Sequence, residues 1–171
     1  MIHFQRLNAS HTLFPRVVEL YLSAFPEVER RPLESWIRMS NKHLLFSNVS
    51  ILDETDAFVG FITLWTFEKF TYIEHFALLP MYRGRGIGGC VLDLLQKQNP
   101  SIVLEVEPST NDETRARIRF YEHHGFVLSA LAYEQPSYLA EGNGLSLCLM
   151  SSGEVNLLQA KQDIYRHVYG K

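Results

Sequence analysis

Cysteine is scarce in this chain of 171 residues: Cys90 and Cys148 are the two present, 58 positions apart. That spacing fits neither the paired ligands of a structural zinc site nor the density of a disulfide scaffold, so both are read as buried, reduced thiols. Basic charge is not in excess either. Lys and Arg total 16 against 19 Asp and Glu, a net charge of -3, which offers no electrostatic footprint for nucleic acid. No apolar run approaches the roughly 20 residues of a membrane span. The opening Met1-Ile2-His3-Phe4-Gln5-Arg6 lacks a basic segment leading into a long apolar stretch, so no membrane partner and a cytoplasmic location are expected. Internal repeats, low-complexity tracts and linkers are absent as well. What is present is a 46% hydrophobic composition, enough for one domain with a substantial core and short for two, hence a single domain over 1–171 and a small molecule as its partner.

The order of elements is legible from periodicity and punctuation. Ile2 to Arg6 reads as a strand, and Val17, Val18, Leu20, Tyr21 and Leu22 as a helix that Phe25-Pro26 breaks. The charged Glu27 to Pro32 leads into a short helix around Leu33 to Met39, read as a surface lid with Pro32 suited to its first turn. Leu44 to Leu52 and Ala57 to Phe67 predict a hairpin around Asp53-Glu54-Thr55-Asp56, followed by a strand over Thr71 to Leu78. A glycine-rich loop then enters a helix over Ile87 to Gln98. Next come a strand over Ser101 to Glu107, a helix through Tyr121 ended by Gly125, strands near Val127 to Glu134 and Leu145 to Met150, and an amphipathic helix from about Glu154. Such alternation implies an α/β domain whose sheet is antiparallel early and parallel across the helix after the loop.

In Arg83-Gly84-Arg85-Gly86-Ile87-Gly88-Gly89 the small residues let the backbone approach a ligand, and N–H groups at a helix start point outward together. The helix dipole and two arginines add positive charge, so the loop suits a pyrophosphate. Gly84-x-Gly86-x-x-Gly89 fits the dinucleotide fingerprint literally, with Glu105 where a ribose-binding acid belongs. The surroundings do not fit. Leu79 to Arg83 separate the strand from the first glycine, and 82 residues after Gly89 are too few for a dinucleotide sheet plus a substrate domain.

Read instead as Arg83-x-x-Gly86-x-Gly88, the loop resembles the coenzyme A signature of the GNAT family of N-acetyltransferases. The strand Ile73-Glu74-His75-Phe76-Ala77-Leu78, the run Pro80-x-Tyr82-Arg83-Gly84-Arg85-Gly86-Ile87-Gly88 and the downstream Phe120-Tyr121-Glu122-x-x-Gly125-Phe126 are all close to the family's wording. The likeness is specific from about Tyr72 to Phe126. Leu104-Glu105-Val106-Glu107-Pro108 and Tyr133-x-Gln135-Pro136 look like a bacterial subgroup.

The resemblance implies an acyl-coenzyme A N-acyltransferase fold, a central mixed and mostly antiparallel sheet of about seven strands flanked by helices. It implies transfer of acetyl from acetyl-coenzyme A, the cosubstrate, to a primary amine by direct attack in a ternary complex, with a small-molecule or peptide amine as acceptor. Pyrophosphate would meet the N–H groups of Arg83, Gly84, Arg85, Gly86, Ile87, Gly88 and Gly89. Pantetheine would pair with the main chain of Phe76, Ala77 and Leu78, and Glu74, Glu105 and Glu107 would flank the thioester. Tyr121 holds the place of the family's general acid, and an ordinary pKa near 10 keeps it protonated at neutral pH. Glu74 is the first choice for the base, since Tyr72, Phe76 and Leu78 share its strand face. His75 points to the opposite face. Glu105 and Glu107 share a face and would attract a cationic amine. Glu27, Glu29, Trp36 and the segment from Tyr133 to Tyr138 would line the acceptor site.

The chain departs from the family at Thr114 and Arg117, where asparagine and alanine are usual, while Asn111 lies nearby but out of phase. Arg115, Arg117 and Arg119 are candidates to touch coenzyme phosphates, against a plain role as solvated helix charges. Adjacent His123 and His124 do not face one point and lack an i, i+4 partner, so no metal is expected. A coenzyme A binding or sensing module without turnover, and an NAD-dependent oxidoreductase, stay open as alternatives. A homodimer is compatible with all of this.

Overall fold

The computed structural model describes residues 1–139 and 142–171. Its order is β1 (Ile2–Leu7), α1 (Phe14–Ala24), α2 (Leu33–Lys42), β2 (Phe46–Asp53), β3 (Phe58–Thr66), β4 (Thr71–Leu78), α3 (Ile87–Gln98), β5 (Ile102–Val106), α4 (Asp112–His123), β6 (Val127–Leu128), β7 (Glu134–Gln135), β8 (Leu145–Ser146), β9 (Cys148–Ser152) and α5 (Leu157–Asp163). The strands form a seven-stranded sheet in the order β1-β2-β3-β4-β5-β9-β6 and a two-stranded ribbon of β7 and β8. The chain divides into two compact units, one of Met1–Thr66 with Ile73–Leu92, the other of Phe67–Tyr72 with Asp93–Lys171.

In the first unit β1, β2 and β3 form an antiparallel meander, with Ile2 opposite Asp53 and Phe46 opposite Trp65. The hairpin turn between β2 and β3 is set by Asp53, whose Oδ1 accepts from Thr55 N at 2.8 Å, Thr55 Oγ1 at 2.7 Å and Ala57 N at 3.1 Å. Asp56 takes the left-handed conformation, φ 62°, that a short polar side chain tolerates. In β3, Gly60 is required by space: a Cβ there would stand 2.3 Å from Ala77 O.

The helices α1 and α2 cover this meander with rings. Pro15 sits in the first turn of α1, where its missing N–H costs nothing, and Phe14, Val17, Leu20 and Tyr21 form the buried stripe. Tyr21 and Trp36 stack at 4.3 Å, Phe14 lies 5.5 Å from Trp36, and Phe61 meets both Tyr21 and Trp36 edge-on. Trp36 is fully buried. Truncating such a ring typically costs about 3–5 kcal/mol. The expected surface lid is therefore corrected: α2 is anchored in the core through Trp36, which does not line an acceptor site.

In the second unit β9 runs antiparallel to β5, Ile102 opposite Ser152 and Val106 opposite Cys148, and β6 adds to its other side. The strand expected from Val127 to Glu134 stops after two residues. Ser129 N still bonds to Leu149 O at 2.9 Å, but the Ser129 hydroxyl then captures Leu131 N at 3.0 Å and diverts the chain from the ladder. The chain resumes as β7, paired with β8 and ended by Pro136.

The single C-terminal helix expected from Glu154 is also different in kind. Asn156 caps α5, accepting from Gln159 N at 3.1 Å, and the chain then widens into a π-helix over Ile164–Tyr169 before Gly170, φ 69°, stops it. Cys90 is exposed and Cys148 half-buried, so the expected burial of both thiols does not hold, while both are free.

Candidate active site

In the first unit the site is built on β4 and the loop that follows it. Leu79 N bonds to Val59 O, a tight turn over Pro80–Tyr82 reverses the chain, and Arg83 Nε donates to Leu78 O at 3.0 Å, tying the loop back to the end of β4. Gly84 and Gly86 have φ of 71° and 76°, and a Cβ on either would meet nothing within 4 Å. Glycine is needed there for its backbone conformation, and the space beside it is open. Residues 83–86 are exposed, Ile87 opens α3, and the first-turn N–H groups of a helix have no intrahelical acceptor. Phe76 and Leu78 are half-buried and Ala77 is buried along the same strand.

Glu74 and His75 lie on β4 in quite different surroundings from an open cleft. Glu74 Oε1 accepts from Arg31 Nε at 2.8 Å and its Oε2 from Trp65 Nε1 at 2.8 Å. The His75 ring lies between Thr63 Oγ1, 3.3 Å from Nδ1, and Glu29 O, 3.0 Å from Nε2. Burial, the larger effect, pushes the His75 pKa down, against the raising influence of Glu74. The structural role expected for His75 fits this enclosure.

In the second unit Tyr121 stands on α4. Asn111 caps this helix by accepting from Thr114 N at 2.9 Å, while Thr114 Oγ1 accepts from Asn111 N at 3.1 Å. This reciprocal capping box accounts for Thr114: the residue that departs from the family pattern holds the helix start. At the other end Gly125 turns left-handed, φ 80°, with Gly125 N on Glu122 O and Phe126 N on Tyr121 O, as its position predicts. The Tyr121 ring packs against Phe120 and Phe126, 5.2 Å and 5.7 Å away. The residue is half-buried overall, yet its hydroxyl is enclosed enough that burial pushes its pKa up to about 12, with nearby Arg117 acting in the opposite sense. Arg117 bonds Glu107 Oε2 at 2.6 Å and Glu113 Oε1 at 3.2 Å, and Arg115 bonds Asp112 at 2.7 Å, so both arginines have acidic partners on the surface.

Glu105 and Glu107 share a face of β5 as expected, and their environments diverge. Glu107 is ion-paired and 44% exposed. The Glu105 carboxylate is withdrawn from water: it accepts from the Tyr133 hydroxyl, from Gln135 Nε2 at 2.5 Å, and from the Tyr169 hydroxyl, 3.2 Å from each oxygen. Tyr169 belongs to the π-helix, and its oxygen is 3.2 Å from that of Tyr72 and 3.5 Å from that of Tyr138. Burial is the dominant effect on Glu105 and pushes its pKa up to about 7, against the lowering effect of Tyr133, Gln135, Tyr72 and Tyr169. The motif Tyr133-x-Gln135-Pro136 was the visible signal for two of these partners. Tyr169 carried none, because it lies 64 residues from Glu105 in the chain.

Comparison with known proteins agrees with this geometry. The model of the Acetyltransferase (GNAT) domain matches residues 46–128. A solved structure from Bacteroides thetaiotaomicron, titled "Putative acetyltransferase from GNAT family", is 32% identical with a TM-score of 0.94, over 99% of each chain. "Putative acetyltransferase YjbC" of Bacillus subtilis (strain 168) is 29% identical over 110 residues, which are 60% of this chain and 57% of that protein. The match thus spans just over half the length of that curated relative. The spermidine N-acetyltransferase SpeG of Vibrio cholerae, solved as a single-site mutant, shares the fold at 14% identity and a TM-score of 0.63, over 88% of this chain and 92% of that one. The chain belongs to the GNAT family of N-acetyltransferases, and its mixed α/β architecture with a mostly antiparallel seven-stranded sheet is the fold of that family.

Proposed function

We propose that the protein transfers the acetyl group of acetyl-coenzyme A to a primary amine by direct attack in a ternary complex. The observation that carries this is the loop from Arg83 to Gly89: two glycines in left-handed conformation, exposed, open on the side where a Cβ would lie, and leading into the first turn of α3. Main-chain N–H groups and the positive end of the helix suit a pyrophosphate there. The backbone of Phe76, Ala77 and Leu78 takes the pantetheine arm, and Tyr121 gives a proton to the departing thiolate. A hydroxyl held protonated across the neutral range is fit for that task. The acceptor, a small-molecule or peptide amine, arrives as an ammonium and must lose a proton before it attacks. Two withdrawn carboxylates, Glu74 and Glu105, are the candidates to receive it.

Calorimetric titration with acetyl-coenzyme A and, separately, NADH tests the assignment. Saturable binding of acetyl-coenzyme A that weakens when Gly86 and Gly88 carry bulky side chains is the expected result. Binding of NADH alone would sink it and return the loop to a dinucleotide role.

A further inference from the structure

The two carboxylates differ in what their hydrogen-bond partners can do. Glu74 faces the guanidinium of Arg31 and the indole N–H of Trp65. Both groups donate only, so they match a carboxylate and not a carboxylic acid. Adding a proton to Glu74 would also dissolve an ion pair that is out of water. Its surroundings are those of a fixed charge.

Glu105 is surrounded mainly by groups that work both ways. The hydroxyls of Tyr133 and Tyr169 donate to its oxygens, and Tyr72 and Tyr138 extend the same hydroxyl cluster. A hydroxyl donates and accepts. When Glu105 gains a proton, either tyrosine can turn its O–H away and accept from the new acid, so no buried polar group is stranded in either state. Other groups around the cluster are already occupied on its outer side: Lys161 Nζ donates to Ala132 O at 2.9 Å and lies over the rings of Tyr133 and Tyr165, while the Tyr165 hydroxyl donates to Glu134 O. The π-helix that carries Tyr165 and Tyr169 is an irregularity that recurs at functional sites.

Resting on the acetyl-transfer function proposed above, we propose that Glu105 is the proton acceptor for the incoming amine. The ammonium N–H breaks as an O–H forms on Glu105, and the freed lone pair makes the C–N bond to the thioester carbonyl carbon. The C–S bond then breaks, sulfur takes the proton of Tyr121, and the second N–H proton, released as the amide forms, replaces it. The proton on Glu105 leaves to solvent. A carboxyl group that burial holds at a pKa of about 7 is matched to this duty at neutral pH.

Two probes of nearly the same size separate a base from a structural residue: ethylamine, an ammonium at neutral pH, and 2,2,2-trifluoroethylamine, largely neutral there and in no need of deprotonation. Thiol release from acetyl-coenzyme A is followed with each, for the wild type and for Glu105→Gln. Loss of a general base costs about 100-fold or more, so Glu105→Gln is expected to lose at least that on ethylamine and much less on trifluoroethylamine. Glu105→Asp, which keeps a carboxylate, is expected to recover at least a tenth of the wild-type ethylamine rate, on the order of one step in the same scale. Equal losses on both amines, an unchanged ethylamine rate in Glu105→Gln, or an Asp variant as slow as the Gln variant would each overturn the proposal. A wild type that binds acetyl-coenzyme A but releases no thiol with either amine would instead overturn the transferase function, and the assignment of Glu105 with it.

Discussion

Arg31 Nε lies 2.8 Å from Glu74 Oε1, with the arginine side chain 9% exposed and the glutamate side chain 0%. The guanidinium also stands over the ring of Trp65, whose indole N–H donates to the other carboxylate oxygen. Breaking such a pair from one side leaves an uncompensated buried charge, which typically costs about 3–5 kcal/mol. Arg31→Met is therefore expected to lose stability on that scale in urea unfolding, and Arg31→Met with Glu74→Leu to recover part of the loss. Equal stabilities of wild type and Arg31→Met would show that the pair contributes nothing.

Tyr121→Phe keeps the ring packed against Phe120 and Phe126 and removes only the hydroxyl. Its kcat is expected to fall by about 10²–10⁴, the range for a lost proton donor, with KM for acetyl-coenzyme A nearly unchanged. Steady-state thiol release with ethylamine reads both constants. A kcat close to that of wild type would remove Tyr121 from the reaction.

At Gly86 conformation and space make separate demands. A Cβ meets no atom within 4 Å, so the cost of Gly86→Ala comes from φ 76° alone, about 1–2 kcal/mol. Thermal unfolding should show that modest loss, and calorimetry a clearly larger loss of acetyl-coenzyme A affinity as the loop's N–H groups shift. Equal affinity in the variant would place the pyrophosphate elsewhere.

Of these elements, the loop, β4 and the end of α4 were legible in the sequence because their signals are local. Gly84, Gly86 and Gly125 punctuate, and Ile87 to Gln98 and Thr71 to Leu78 have the bounds that periodicity assigns them. Thr114 was visible as a departure without a cause, since a capping box is recognised only once Asn111 is known to sit at the cap. The partners of the carboxylates were out of reach. Arg31 is 43 residues from Glu74, and Tyr133 and Tyr169 are 28 and 64 from Glu105, separations that only the folded chain closes. Trp36 and Leu33 to Lys42 were misplaced as a lid because the segment's charged flanks outweigh its single buried ring.

Glu105 also ties stability to pH. Its pKa is raised in the folded state from 4.5 to about 7, so the folded protein binds more protons than the unfolded chain between those values. The stabilisation is complete below the unfolded pKa and is lost as pH rises toward 7, on the order of 3 kcal/mol over the window. His75, pushed down, acts in the opposite direction, so the measurement is a difference. The gap in unfolding free energy between Glu105→Gln and wild type should move in favour of the variant from pH 4.5 to 7, and a gap independent of pH would show that Glu105 does not titrate there.

The π-helix over Ile164–Tyr169 gives the Glu105 cluster an unusual route of descent. A helix of this kind holds one residue more per turn of hydrogen bonding than its α neighbour. Deleting one residue between Asp163 and Tyr169 would let the segment relax to α and swing whatever follows by about 100°. Tyr169 would leave Glu105 in a single genetic event, and a different side chain would face the carboxylate. Relatives that differ by one codon in this stretch are thus where a change of amine preference is to be sought.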